Sequence, residues 1–256
     1  MTTEKRGHLL LIGVNRPKKM NAFDVDMLRA FGDAFVLLEN DDDLRVGVIF
    51  AHGEHFTAGL DLGNVAPAIQ EGKFGLGDAA IDPWGVHGKA RTKPTVMAVH
   101  GRCFTLGIEL ILAQDITIAA KNTVFAQIEI KRGIYPFGGA TYRWPARCGW
   151  GNAMRWLLTG DELDAAEAHR IGLVQEVVEN GKQLQRAIEI AETIAKQAPL
   201  GVRATIESAR RTIHEEEAAK ALMPVLTKLM ASDDAREGLM SFLERRAGSF
   251  SGKIPA

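Results

Sequence analysis

The order of apolar and polar positions splits the chain into two unequal parts. Residues 8 to 14, "HLLLIGV", run almost unbroken in apolar side chains, as a short strand does. After the Pro-containing turn "NRPKKMNAF", the side chains Val25, Leu28, Phe31, Phe35 and Leu38 recur at helical spacing. This predicts a helix over 24 to 39, closed by the acidic "NDDD". Residues 45 to 51, "RVGVIFA", form a second apolar strand, and "HGEHFTAGLDL" is a Gly-containing turn into another helix start. Residues 64 to 90 are rich in Gly, Ala and Pro without a strong period, and read as a variable lid or loop.

The alternation then repeats. "PTVMAVHG" reads as strand, "LGIELILAQ" as short helix, "DITIAAKN" and "TVFAQIEI" as strands, and "ATYRWPARCGWGNAMRWLLTG" as turn plus helix. Strand and helix alternating at this spacing predict an α/β fold. From residue 183 the pattern is helical only. "QLQRAIEIAETIAKQ" is amphipathic, Pro199 interrupts it, and residues 200 to 246 continue with apolar positions such as Leu222, Leu226 and Leu229. The expected organisation is a core over 1–197 and a helical appendage over 198–256, suited to packing on the core or on a neighbouring subunit.

Composition narrows the function classes. The chain has 256 residues, 46% hydrophobic and 25% charged, with a formal net charge of −1. Such a chain carries no global field for nucleic acid or an anionic membrane, although a local basic patch for a phosphate-bearing ligand remains open. The amino terminus, "MTTEKRGHLLLIGV", lacks a signal peptide's apolar region, and no apolar run approaches the ~18 residues of a membrane helix. The simplest reading is a cytoplasmic protein. Cys103 and Cys148 are too few for a disulfide framework and read as structural thiols.

Three familiar signals fail their context. "GLGDAA", Gly75 to Ala80, has dinucleotide-type glycine spacing but follows no apolar strand. His52 and His55 in "HGEH" have no third ligand at metal-site spacing, so no metal is expected. Cys103 carries no nucleophile signature. Two glutamates remain. Glu109 sits among Ile108, Leu110, Ile111 and Leu112, where a charged carboxylate needs a partner or a task. It either complements the positive end of a helix or does acid/base chemistry. Glu129, in "FAQIEIKRG", has a plain alternative as half of a solvated pair with Lys131 or Arg132.

The stretches "NRPKKMNAF", "HFTAGLDL", "KPTVMAVHGRCFTLGIELILAQDITIAA", "TVFAQIEIKRGIYPFGGA", "LLTGDELDAAEAHRIGLVQEVV" and "SDDAREGLMSFLERRAGSF" resemble, in order and spacing, the segments of the crotonase (enoyl-CoA hydratase/isomerase) superfamily across essentially the whole chain. The resemblance implies a spiral of ββα units followed by a helical trimerisation region, assembled as a homotrimer or a dimer of trimers. It implies an acyl-CoA thioester substrate, with coenzyme A as part of the substrate and no separate cofactor. By the same resemblance, Glu109 and Glu129 are the acid/base pair of a hydratase, with Glu109 toward water and Glu129 toward C2. The backbone N–H groups of Leu60 and Leu106 form an oxyanion hole, which stabilises charge developing on the thioester oxygen. Ala58, Leu60 and Leu62 line the adenine strip, Lys18 and Arg245 meet the coenzyme phosphates, and Phe242 lies nearby.

Some positions depart from the family pattern. A Gly-Gly-Gly run is usual where this chain has Thr105-Leu106-Gly107, which is expected to alter a backbone pose needing glycine's freedom. "YPFGG" shortens a commoner turn and adds Phe137 beside the pocket, while Trp84 and His87 either shape the acyl end or pack a surface lid. The implied activity is hydration of a 2-trans-enoyl-CoA. The alternatives are double-bond isomerisation over the same oxyanion hole and a catalytically silent acyl-CoA-binding member.

Overall fold

The computed structural model describes residues 1–70, 81–86, 89–132, 134–210, 232–246 and 248–252. The helix positions Leu222, Leu226 and Leu229, the "GLGDAA" stretch and His87 lie outside those residues.

A six-stranded sheet forms the base. Strand β1 (Thr2–Arg6) runs antiparallel to β2 (Leu9–Val14), and β3 (Val46–Ala51), β4 (Thr95–Val99), β6 (Ile116–Ala120) and β9 (Glu176–Val178) continue the sheet in parallel. The expected 8–14 strand is present. The pattern missed β1, whose residues "TTEKR" are all exposed; as an edge strand it has no apolar face to announce it, and its charges blunt the edge. Every residue of β2 is buried because the sheet is covered on both faces, which explains its unbroken apolar run. Leu10 and Ile12 point into the core that holds Phe31 and Phe35 of helix α1 (Val25–Asn40). Leu9 and Leu11 point the other way, beneath the helix over Gln183–Ala195. The α1 start is fixed by Asp24, whose side chain accepts from Met27 N–H at 2.9 Å.

A second, smaller sheet turns the chain into a spiral. It joins β5 (Arg102–Phe104), β7 (Val124–Ala126) and β8 (Glu162–Asp164), and Thr57 adds a single parallel bridge to Cys103. Three successive passes therefore run from large sheet to small sheet to helix: β3, Thr57 and α2 (Leu62–Gln70); β4, β5 and α3 (Leu106–Ala113); β6, β7 and a 3₁₀ turn over Glu129–Arg132. Because Thr57, Cys103 and Phe125 are in register, the segments leaving them come out side by side.

Two expectations need correction here. The 64–90 loop begins as helix through Gln70, and the strand expected over "TVFAQIEI" stops at Ala126. There the chain turns, with Lys131 N–H bonded to Ile128 O at 3.0 Å, because pairing with β5 and β8 ends at Ala126, and Gln127 and Glu129 are carried inward. Helices α4 (Ala140–Cys148) and α5 (Trp150–Thr159) divide at Gly149, where φ is +82°. Then follow α6 (Ala165–Arg170), α7 (Gln183–Ala195), α8 (Pro199–Arg210) and α9 (Asp233–Leu243). Arg45 ties the last part to the core by donating to Ala195 O and Phe250 O. No described helix is long and apolar enough to cross a membrane.

Candidate active site

Helix α3 is apolar on every side, so it is buried on every side, and Glu109 enters the interior with it at 4% exposure. Its Oε1 accepts from the N–H of Gly138 at 2.7 Å and of Ala140 at 3.3 Å, at the start of α4. A Cβ at position 138 would stand 2.5 Å from Glu109 Oε2, so only glycine lets that amide approach. Burial raises the Glu109 pKa; the Ala140 and Gly138 amides and the Arg143 charge pull against it.

Glu129 opens the 3₁₀ turn and is 7% exposed. The solvated pair with Lys131 or Arg132 is not formed: Lys131 faces Asp161 at 3.5 Å, and Glu129 Oε1 accepts from Gln127 Nε2 at 2.9 Å. Glu129 Oε2 and Gln127 Oε1 are buried with no hydrogen-bond partner among the described residues. Burial, and then the negative charge of Glu109, push the Glu129 carboxyl up to about 7. The segments that carry the two glutamates leave neighbouring strands and are joined by Thr105 N–H donating to Ala126 O at 2.9 Å, so Glu109 and Glu129 stand on adjacent passes of the spiral. Gln127 carried no sequence signal beyond its place two residues before a glutamate.

The two backbone N–H groups expected to form the oxyanion hole, those of Leu60 and Leu106, lie on the first and second passes of the spiral. Phe23 clasps the strip around Leu60, donating to Gly59 O at 2.8 Å and accepting from Asp61 N–H at 2.8 Å, which leaves the Leu60 N–H facing the other way. The Leu106 N–H is the first of α3, where no helical carbonyl can reach it and the helix dipole is positive. Neither amide has an acceptor among the described residues.

Thr105, next to it, corrects the expectation from the missing glycines. It adopts φ 51°, ψ −111°, so the glycine-like pose is kept, at a cost of about 1–3 kcal/mol. Its N–H bonds to Ala126 O at 2.9 Å and its carbonyl accepts from Ile108 and Glu109, and these bonds hold the strained turn. Gly59 makes room for it, since a Cβ there would lie 2.2 Å from Thr105 Oγ1.

The far end of α3 is capped by arginines that sequence reasoning did not single out. Arg147 donates to the carbonyls of Ile111, Leu112 and Gln114 at 3.0, 3.2 and 3.1 Å, and Arg91 donates to Ala113 O at 2.9 Å. Cations at a helix C-terminus balance its dipole and leave the N-terminal amides oriented for an anion.

Lys18 is exposed on a 3₁₀ turn, and the following Met20 carbonyl accepts from Ala58 N–H at 2.9 Å, so Lys18, Ala58 and Leu60 share one region. Leu62 starts α2 with 43% exposure. Arg245 is exposed beyond α9, and no described contact joins it to Lys18 or Ala58. Phe242 lies on α9, but its side chain falls outside the described residues.

The spiral of parallel strands, with a buried glutamate on each of two adjacent passes, is that of a crotonase-type α/β protein. The chain belongs to the enoyl-CoA hydratase/isomerase family, whose model matches residues 4–253. Among curated proteins it is 35% identical to an enoyl-CoA hydratase of Mycobacterium tuberculosis, covering 98% of this chain and 96% of the relative. It is also 35% identical to the carnitinyl-CoA dehydratase of Salmonella typhi, covering 97% of each. Among solved structures, a probable enoyl-CoA hydratase/isomerase from Mycobacterium abscessus superposes with TM-score 0.95 at 50% identity, covering 98% of both chains.

Proposed function

We propose that this chain is an enoyl-CoA hydratase, adding water reversibly and syn across the double bond of a 2-trans-enoyl-CoA to give a 3-hydroxyacyl-CoA. The observation that carries the reading is the unequal holding of two buried carboxylates at one locus. Glu109, gripped by two main-chain amides, is the form that takes a proton from water as its oxygen bonds to C3. Glu129, pushed up to about 7, keeps a proton to give to C2. In the dehydration direction each group reverses its role. The Leu60 and Leu106 amides hold the thioester oxygen, on which negative charge grows. Lys18 and Arg245 meet the coenzyme phosphates through charge-assisted hydrogen bonds, with Ala58, Leu62 and Phe242 along the adenine strip. Relatives named as a hydratase and as a dehydratase of CoA thioesters support this direction of chemistry. Assembly as a homotrimer or dimer of trimers belongs to the same proposal and is read from light-scattering mass.

The test is a panel of crotonyl-CoA and longer 2-enoyl-CoAs, scored by loss of the conjugated thioester's ultraviolet absorbance. Glu109→Gln and Glu129→Gln are each expected to lose ~10²-fold or more, the usual scale of a general acid or base. Unchanged absorbance with every substrate overturns the proposal, and a 3-enoyl-CoA converted faster than any 2-enoyl-CoA is hydrated replaces it with isomerisation.

A further inference from the structure

The segment 81–86, expected to be part of a variable loop, is instead pinned at every turn. The Asp82 carboxylate accepts from the N–H groups of Trp84 and Val86, both at 2.8 Å. Pro83 O accepts from Gln114 Nε2 at 2.9 Å, and Arg143 donates to Trp84 O at 2.6 Å and Gly85 O at 2.8 Å. What this clamp holds is an indole. Trp84 is 7% exposed, so it is no surface lid, and its ring stands edge-on to Phe23 and Phe31 with centroids 5.8 and 5.6 Å away.

The indole reaches both halves of the paired-amide site. Its Nε1–H donates to Leu106 O at 2.9 Å, the carbonyl of the residue whose N–H opens α3. Its edge rests on Phe23, whose own N–H and carbonyl clasp Gly59 and Asp61 on either side of Leu60. Leu60 and Leu106 belong to different passes of the spiral; the last backbone bond between those passes, Phe104 N–H to Thr57 O at 3.0 Å, lies before both amides, and Trp84 adds a tie beyond it. A single oxygen can accept from both only if each donor stays within about 3 Å of it. A buried indole usually finds an acceptor, yet that of Trp156 is buried with none among the described residues, so this fold does not satisfy every indole as a matter of course.

Resting on the reading of Leu60 and Leu106 as the thioester-oxygen donors, we infer that Trp84 is a positioning residue that sets the spacing of the two amides. It packs against the support of one and hydrogen-bonds the residue that carries the other. It touches no reacting atom. Its effect is on polarisation of the bound thioester carbonyl and thus on turnover more than on affinity.

The test uses the full-length protein and Trp84→Phe, which keeps the aromatic packing and removes the N–H. A second variant replaces the indole by its benzothiophene isostere, which removes the N–H with almost no change of shape if the phenylalanine variant folds poorly. Hydration of crotonyl-CoA is expected to lose about tenfold in kcat with KM within about twofold, the scale of a misplaced donor. The second readout is the infrared carbonyl stretch of bound acetyl-CoA labelled with carbon-13 at the thioester carbon, a ligand that cannot be hydrated. The wild type is expected to shift this band to lower frequency, and both variants to lose most of the shift. A full shift and full kcat in a folded variant overturn the role of Trp84 alone. An unshifted band in the wild type removes the paired-amide reading itself, and this inference with it.

Discussion

Glu109 and Glu129 share one buried locus and are held in opposite ways. Glu109 stands on a rigid helix with its Oε1 bonded to two main-chain amides, donors that cannot rotate away or change charge. Glu129 stands on a single 3₁₀ turn, accepts from the side-chain amide of Gln127, and leaves Oε2 without a hydrogen-bond partner among the described residues. Backbone amides favour the carboxylate form, whereas burial with few donors favours the acid. Burial raises both carboxyls; the two amides on Glu109 pull against that rise, and Glu129 is pushed up to about 7. In the proposed hydration one proton serves the pair, placed on Glu129 in one direction and on Glu109 in the other.

Removing the asymmetry at its source gives the largest expected effect. Gly138→Ala puts a Cβ 2.5 Å from Glu109 Oε2, which forces the carboxylate away from the Gly138 N–H, its shortest hydrogen bond. Hydration is expected to fall by ~10² without loss of any catalytic group, measured as kcat/KM on crotonyl-CoA. Activity within twofold of wild type breaks the view that main-chain amides set Glu109 apart.

The raised Glu129 pKa predicts two pH dependences of known sign. Turnover in both directions is expected to fall as pH rises through about 7, where the pair loses its proton. Stability follows the same group: with 4.5 as its ordinary value and about 7 in the folded protein, the native state binds the proton more tightly. Unfolding free energy from this group is therefore full below pH 4.5 and declines as pH rises toward 7. Glu129→Gln, always neutral, is expected to flatten that slope and to exceed the wild type by about 3 kcal/mol above it, read from urea melts across pH.

Gln127→Leu takes away the side-chain amide that donates to Glu129. Since that bond favours the charged form, its loss raises the Glu129 pKa further, and the alkaline limb of the rate profile is expected to move upward by less than one pH unit. A limb moving downward contradicts the bond's assigned direction. The smallest effect lies on the amide side. Thr105→Gly relieves the φ 51°, ψ −111° turn but gives back unfolded-chain freedom, so a net gain of about 1 kcal/mol in thermal melts is expected, with turnover within a few fold.

The linear pattern was enough for the α/β class, for α1, α3 and the apolar strands, and for singling out Glu109, because burial of a whole helix leaves a continuous apolar run in which a carboxylate stands out. Motif order then named the family and pointed to Glu129, whose own neighbours suggested only a surface ion pair. Tertiary structure alone decided the rest. Gly138 and Ala140 reach Glu109 across 29 and 31 residues, Gln127 turns inward because a strand ends early, and Trp84 reaches Leu106 across 22. Hydrogen bonds of that range leave no periodicity in the chain. The pose of Thr105 is the sharpest case: its identity argues against a glycine conformation, and only the surrounding bonds, with the space left by Gly59, hold it there. Local preference is worth one or two kcal/mol, and a packed interior can override that at the positions where a site is built.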